Sequence, residues 1–263
     1  MHFSTLVAGL AGASAVMAAA VPKAGPIMLE QDDVILYGEG KTQIMKRHEW
    51  QEHEEKRLAA LNERVKRRSL EVGTSPNSYA GPLVARSVSK RADCTQGEVE
   101  EVQVLKEEHF LQWDVVMSPV ITARYDQATV AVQKGYSLAN SVSVSQSFEV
   151  GLSALIESLK TTLQVSFSTT WTTSESQTYS YFLNPTDAGE AMYGAVVSNP
   201  VTTRYTGNYI YGCAEAPTTE AWSADVYAEE VKSGELTWVQ GAIGLAASTQ
   251  YPVPCLIGEC EHK

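Results

Sequence analysis

The chain has 263 residues, 44% of them hydrophobic, and a formal net charge of −11, enough apolar material for one sizeable core with a smaller unit beside it. That charge is uneven: residues 92–263 hold seven Lys/Arg against 21 Asp/Glu, a net of −14, whereas residues 1–91 hold 13 basic and ten acidic side chains, a net of +3. An acidic C-terminal part repels phosphate backbones, which argues against nucleic acid as a partner.

Residues 1–20 read as a secretory signal peptide. Leu6 to Met17 is apolar with small residues, and Ala18-Ala19-Ala20 meets the small-residue rule for cleavage before Val21, although the usual basic start is missing. The run is too short to span a bilayer, and no later stretch reaches ~18 apolar residues. Val34 to Tyr37 follows as a short strand, with a turn at Gly38-Glu39-Gly40 that lacks the further residues of a nucleotide-binding loop. Thr42 to about Val72 reads as one helix, capped by Thr42 and carrying a sparse stripe of Ile44, Leu58, Leu61, Val65 and Leu70. His48, Glu49, Glu52 and His53 lie on it, but the histidines are five apart rather than four, so a solvated face is expected and not a metal site.

Gly73 to Ser89 is a Gly/Ser/Pro/Asn linker that ends in Lys90-Arg91. This dibasic pair joins a linker to a break in composition, so Lys90 and Arg91 are the expected processing site; the other dibasic pairs fall inside the helix, where a protease cannot take an extended substrate. The expected plan is a signal peptide over 1–20, a prosegment of strand, helix and linker over 21–91, and a mature secreted β domain over 92–263.

From Ala92 the pattern turns to strands: Phe110–Met117, Ala128–Val132, Met192–Val197, Arg204–Tyr211, Trp222–Tyr227 and Leu236–Val239, with Pro119, Pro185, Pro200, Pro217 and Pro252 between or beyond them. Close spacing of such strands indicates an all-β sandwich or barrel. All four cysteines, Cys94, Cys213, Cys255 and Cys260, lie in this part, and an even count in a secreted chain suggests two disulfides. Three pairings are open. Cys94–Cys213 with Cys255–Cys260 is favoured, because it would tie the mature N-terminus to the sheet and close a short C-terminal loop.

Residues 141–174 are the most informative stretch. Val142, Val144, Phe148, Val150, Leu152 and Ile156 occupy even positions, with serines, Glu149 and Gly151 between them. The parity then switches to Leu159, Leu163, Val165, Phe167 and Trp171, with Ser/Thr between. A hairpin turning at Glu157-Ser158 explains the switch: it pairs Leu152 with Leu163, Val150 with Val165 and Phe148 with Phe167 on one apolar face. Each arm of ~15 residues would reach ~50 Å, or ~35 Å of depth at a ~45° tilt, enough to cross a bilayer's hydrocarbon core. A single hairpin cannot close a barrel, so insertion demands a homo-oligomer on the membrane, and Glu149 would then line the lumen. A long hairpin half-buried in a sandwich explains the alternation equally well.

The alternation and its flank, Ser166-Phe-Ser-Thr-Thr-Trp-Thr-Thr-Ser-Glu-Ser-Gln-Thr-Tyr-Ser-Tyr181, resemble the insertion region of aerolysin-type β-pore-forming proteins over roughly 133–184. Nearly the full length also resembles secreted effector-like "celp" proteins of filamentous fungi, through Asp33-Val-Ile-Leu-Tyr-Gly-Glu-Gly40, Phe110–Ser118, Ala128–Val132, Tyr193–Pro200 and Tyr251-Pro-Val-Pro254. These likenesses imply secretion, a host surface or membrane lipid as target, and an elongated antiparallel, mainly β sandwich behind a helical prosegment. They bring no catalytic residues.

An enzyme is not expected. There is no GxSxG elbow, and the mature part has only two histidines, His109 at the opening of a strand and His262 beside the C-terminus, where it should be mobile. Catalytic, cofactor-binding and metal-ligating residues are therefore all read as none. The alternative to a membrane-inserting protein is a binding module for a glycan or host protein, with Trp113, Trp171, Trp222 and Trp238 as stacking platforms.

Overall fold

A computed structural model describes residues 27–38, 41–72, 94–95, 97–145, 152–173, 176–227, 230–233 and 236–263. The chain opens with β1 (Ile27–Leu29), β2 (Asp33–Gly38), β3 (Lys41–Lys46) and α1 (Arg47–Val72). Then come β4 (Glu98–Leu111), β5 (Val115–Val116), β6 (Ile121–Ala123), β7 (Ala128–Val132), β8 (Ser137–Ala139) and β9 (Ser141–Val144). After α2 (Leu152–Leu163) follow β10 (Thr170–Thr172), β11 (Ser176–Leu183), β12 (Met192–Cys213), β13 (Thr218–Tyr227), β14 (Glu230–Ser233), β15 (Leu236–Val239), β16 (Gly241–Ser248), β17 (Val253–Pro254) and β18 (Glu261–His262). The fold is mainly β.

The 22-residue β12 organises everything else. Its first half pairs antiparallel with β16 on one edge and with β5 and β6 on the other; its second half lies between β4 and β13. Two strands, 192–197 and 204–211, were expected with Pro200 between them; the structure makes them one. Pro200 is tolerated because it sits where the partners change. It faces Gly241 at the end of β16, its carbonyl accepts Gln112 N–H, and Val201 N–H donates to Gln240 O, so no ladder donor is required of the proline. Gly241 must approach closely there: a Cβ would lie 2.4 Å from Asn199 O.

A second layer, β1-β11-β7, covers the first half of β12. Between the layers lies a core of Tyr37, Met117, Val130, Tyr181, Leu183, Val196, Trp238, Ile243 and Leu245. Its polar atoms are matched: Tyr181 Oη donates to Ile243 O at 2.9 Å, Trp238 Nε1 donates to Ser198 Oγ at 3.0 Å, and Val196 N–H donates to Ser118 Oγ at 2.8 Å. Beyond Pro200 the sheet narrows to β4-β12-β13-β9, whose apolar face is covered by α2. The structure joins Cys94 to Cys213 and Cys255 to Cys260, in keeping with an oxidising compartment.

Two further expectations need correction. Residues 41–46 form a strand rather than the start of α1, because main-chain pairing with β2 (Ile35 opposite Ile44) outweighs helical periodicity. The strands ahead of α1 join sheets of the C-terminal part: β1 runs parallel to β11 and β2 pairs with β16. Finally, the 141–174 hairpin is not formed among the described residues. Leu152 and Leu163, expected to face each other, are the two ends of α2; β9 pairs with β13, and β10 pairs with β8. Leu152, Leu155, Ile156, Leu159 and Leu163 fit the 3.6-residue period, and burial of Leu155 and Leu159 decides for the helix. Phe148, Val150, Glu149, the signal peptide and Lys90-Arg91 lie outside the described residues.

Candidate functional site

β9 lies at the edge of the sheet beside β13, α2 covers the sheet's apolar face, and β10 pairs with β8 in a separate two-stranded sheet. On β9, Val142 and Val144 turn towards the sheet's apolar face while Ser141 and Ser143 are exposed, as strand alternation dictates. Leu155 and Leu159 of α2 are fully buried against Tyr209, Trp222 and Ala224, and Leu163, Phe167, Val102 and Val104 complete the cluster. Trp171 belongs to the other core, edge-on to Tyr227 with ring centroids 6.0 Å apart. Ile156 and Val165 are half-buried and Leu152 is exposed. The structure thus gathers Val142, Val144, Leu159, Leu163 and Phe167 of the expected hairpin face, but under a helix.

One carboxylate holds this cover to the sheet. Glu100 Oε1 on β4 accepts from Ser158 Oγ of α2 at 3.0 Å and from Tyr209 Oη of β12 at 2.8 Å. Burial, together with the hydrogen bond to Glu100, pushes the Tyr209 phenol well above its usual range. Asn140 secures the stretch after α2: its amide donates to Ser166 O at 2.8 Å and its carbonyl accepts Tyr227 N–H at 2.9 Å.

Two features work against the cover. Trp222 Nε1 is buried with no hydrogen-bond partner among the described residues, which costs about 1–3 kcal/mol. Gln164, just past the helix, has φ 55°, a left-handed conformation costing a non-glycine residue about 1–2 kcal/mol. Beneath lies Gly207, where the β4–β12 register shifts; a Cβ there would stand 1.8 Å from Gln103 O and 2.8 Å from the Trp222 ring. Leu155, Tyr209 and Glu100 escaped the sequence reading as site residues, and Trp222 entered it only as a stacking platform. The helical spacing of the leucines was the available signal for the first; the others depend on long-range register.

The two histidines of the C-terminal part both have side-chain partners. His109 stands near the end of β4 rather than at its opening, with Nδ1 3.1 Å from Thr203 Oγ1 and Nε2 3.2 Å from Glu107 Oε1. The backbone N–H of His109 is taken by Asn62 Oδ1 of α1 at 3.0 Å. The hydroxyl, imidazole and carboxylate are laid out in a row across the paired strands β4 and β12. His262 is buried, not mobile: its Nε2 lies 3.0 Å from Asp114 Oδ2. Burial alone would raise the Asp114 pKa, but hydrogen bonds from His262, Asn199 and the N–H groups of Leu256 and Ile257 outweigh it and hold the carboxyl below its usual range. Cys255 lies beside this pair, yet its sulfur is committed to Cys260, so the group is a clasp for the C-terminal loop and not a metal site. His48, Glu49, Glu52 and His53 are all exposed on α1.

Comparison with protein-family models, curated proteins and solved structures finds no match for this chain. The expected stacking platforms fare poorly in the fold, since Trp222 and Trp238 are core residues and only Trp113, 56% exposed, offers a face to solvent.

Proposed function

We propose that the chain is a secreted, non-enzymatic effector or toxin-like protein whose segment 141–172 leaves the sheet and enters a lipid membrane after self-association. One observation carries the reading: a stretch with two-residue alternation on both sides of a parity switch is stored as a short helix over an apolar sheet face. A 12-residue helix is marginal on its own, and α2 includes Ile156, Thr161 and Thr162, whose branched side chains favour strands. Tertiary contacts therefore hold the helix, and local sequence lets it go. Paired as a ribbon, the same residues present one apolar and one hydroxyl-rich face, which is what a β-barrel wall needs.

Dye release from liposomes tests this. The oxidised, processed protein at micromolar concentration should release an entrapped fluorophore in at least one of several lipid compositions and pH values. No leakage in any of them rejects membrane insertion while leaving a secreted effector role standing.

A further inference from the structure

The N-terminal segment does more than precede the β domain: it finishes its sheets. β2 covers the β16 edge, with Ile35, Leu36 and Tyr37 opposite Ile243, Ala242 and Gly241. β1 covers β11, with Ile27, Met28 and Leu29 beside Tyr179, Ser180 and Tyr181. On β4 the amide of Asn62 stands in for a strand, donating to His109 O at 3.1 Å and accepting His109 N–H at 3.0 Å. Two edges of the C-terminal part are thus paired by β1 and β2, and a third, that of β4, is met at His109 by Asn62; an open edge is a template for unwanted pairing.

The side chains of this segment are equally committed. Leu29, Val34, Ile35, Tyr37 and Trp50 are each at most 2% exposed. Leu29, Ile35 and Tyr37 lie in the main core, while Val34 and Trp50 join Ala242, Leu111 and Ile257. The Arg47 guanidinium reaches in to donate to Leu245 O at 2.8 Å and Gln31 O at 2.7 Å. No cysteine lies in residues 1–91, so nothing covalent except the linker joins the two parts.

We infer that the surface made by β16, β11 and the edge of β4 is a strand-acceptor site whose partner is the N-terminal segment of the same chain. Hydrolysis of the Arg91–Ala92 bond by a dibasic-specific endoprotease, with water as the co-reactant, then yields a two-chain protein and not a released prosegment. Main-chain ladders and buried apolar groups hold the pieces together, and the opposite net charges of the two halves are secondary.

The test uses the oxidised full chain, cut to completion as judged on a denaturing gel and then run by size exclusion and native mass spectrometry at micromolar concentration. A second chain, with a viral-protease recognition sequence replacing residues 80–86, is cut the same way, so that resistance at Lys90-Arg91 is separated from the docking question. The expected result is 1:1 co-elution of the two fragments, unchanged at ~1 M salt, where charge attraction is screened within ~3 Å. Separation of a soluble C-terminal fragment, precipitation of the cut protein, or release by salt would each overturn the inference. Trp50→Ala, with Asn62→Ala as the milder variant should the first fail to fold, should weaken retention on dilution; for Trp50→Ala about 30-fold or more is expected. His48→Ala on the exposed face of α1 should leave retention unchanged. Equal retention in all three variants would also contradict the inference.

Discussion

The two halves of β12 are stabilised differently. Around Met192–Pro200, strands cover strands, the core is built from Tyr181, Leu183, Trp238 and Ile243, and the buried phenol and indole both find acceptors. Around Thr202–Cys213, a four-stranded sheet is covered by a helix, the buried indole of Trp222 has no partner among the described residues, and the helix exits through a left-handed Gln164. Stability is seldom uniform across a fold, and segments that must move come from its weaker end. The second half has the marks of such an end, and segment 141–172 is its cover.

Mutations can break this contrast. Trp238→Ala should cost about 3–5 kcal/mol and lower the midpoint of cooperative unfolding by denaturant. Leu159→Ala should cost about 2–4 kcal/mol, but its main readout is local: faster amide exchange across Leu152–Leu163, with the strands around Trp238 still protected. If Leu159→Ala loosened both halves equally, the distinction would fail.

Acid sharpens the contrast from the other side. The folded-state pKa of Asp114 lies below its unfolded value of about 3.9. Its stabilising contribution is therefore fully present above that value and is lost as pH falls through the lower folded pKa. Acid should thus loosen the C-terminal loop around Leu256, Ile257 and His262 before it affects α2, seen as early exchange at those amides. Asp114→Asn should remove that pH dependence.

The smallest expected effect is at the helix exit. Gln164→Gly relieves the left-handed conformation and should stabilise the α2 cover by about 1 kcal/mol, slowing exchange in Leu152–Leu163. If the proposed function is right, the same change should reduce dye release rather than increase it.

How far the sequence disclosed this fold follows from where local and long-range signals agreed. Ala128–Val132 and Trp222–Tyr227 were legible, being rich in strand formers and bounded by turn residues. Two elements gave weak signals. β16, Gly-Ala-Ile-Gly-Leu-Ala-Ala-Ser, is built of small residues because both its faces are buried, and the acidic start of β4 reads as a solvated run. Pro200 appeared to divide β12, since nothing local reveals that its missing N–H falls where the strand changes partners. At α2 the two periods compete: Val142 to Ile156 alternates in twos, while Leu152, Ile156, Leu159 and Leu163 also fit a helix face. The burial sites offered by Tyr209 and Trp222, more than 40 residues away in sequence, settle the choice.

Membrane action as proposed requires α2 to leave the sheet. Cysteines placed at Ser158 and Glu100, whose side chains meet in the folded chain, can be joined by a short thiol crosslinker, with each single-cysteine variant treated alike as a control. Both controls should release dye from liposomes, and the crosslinked protein should release none. Equal release with α2 tied down would contradict that requirement.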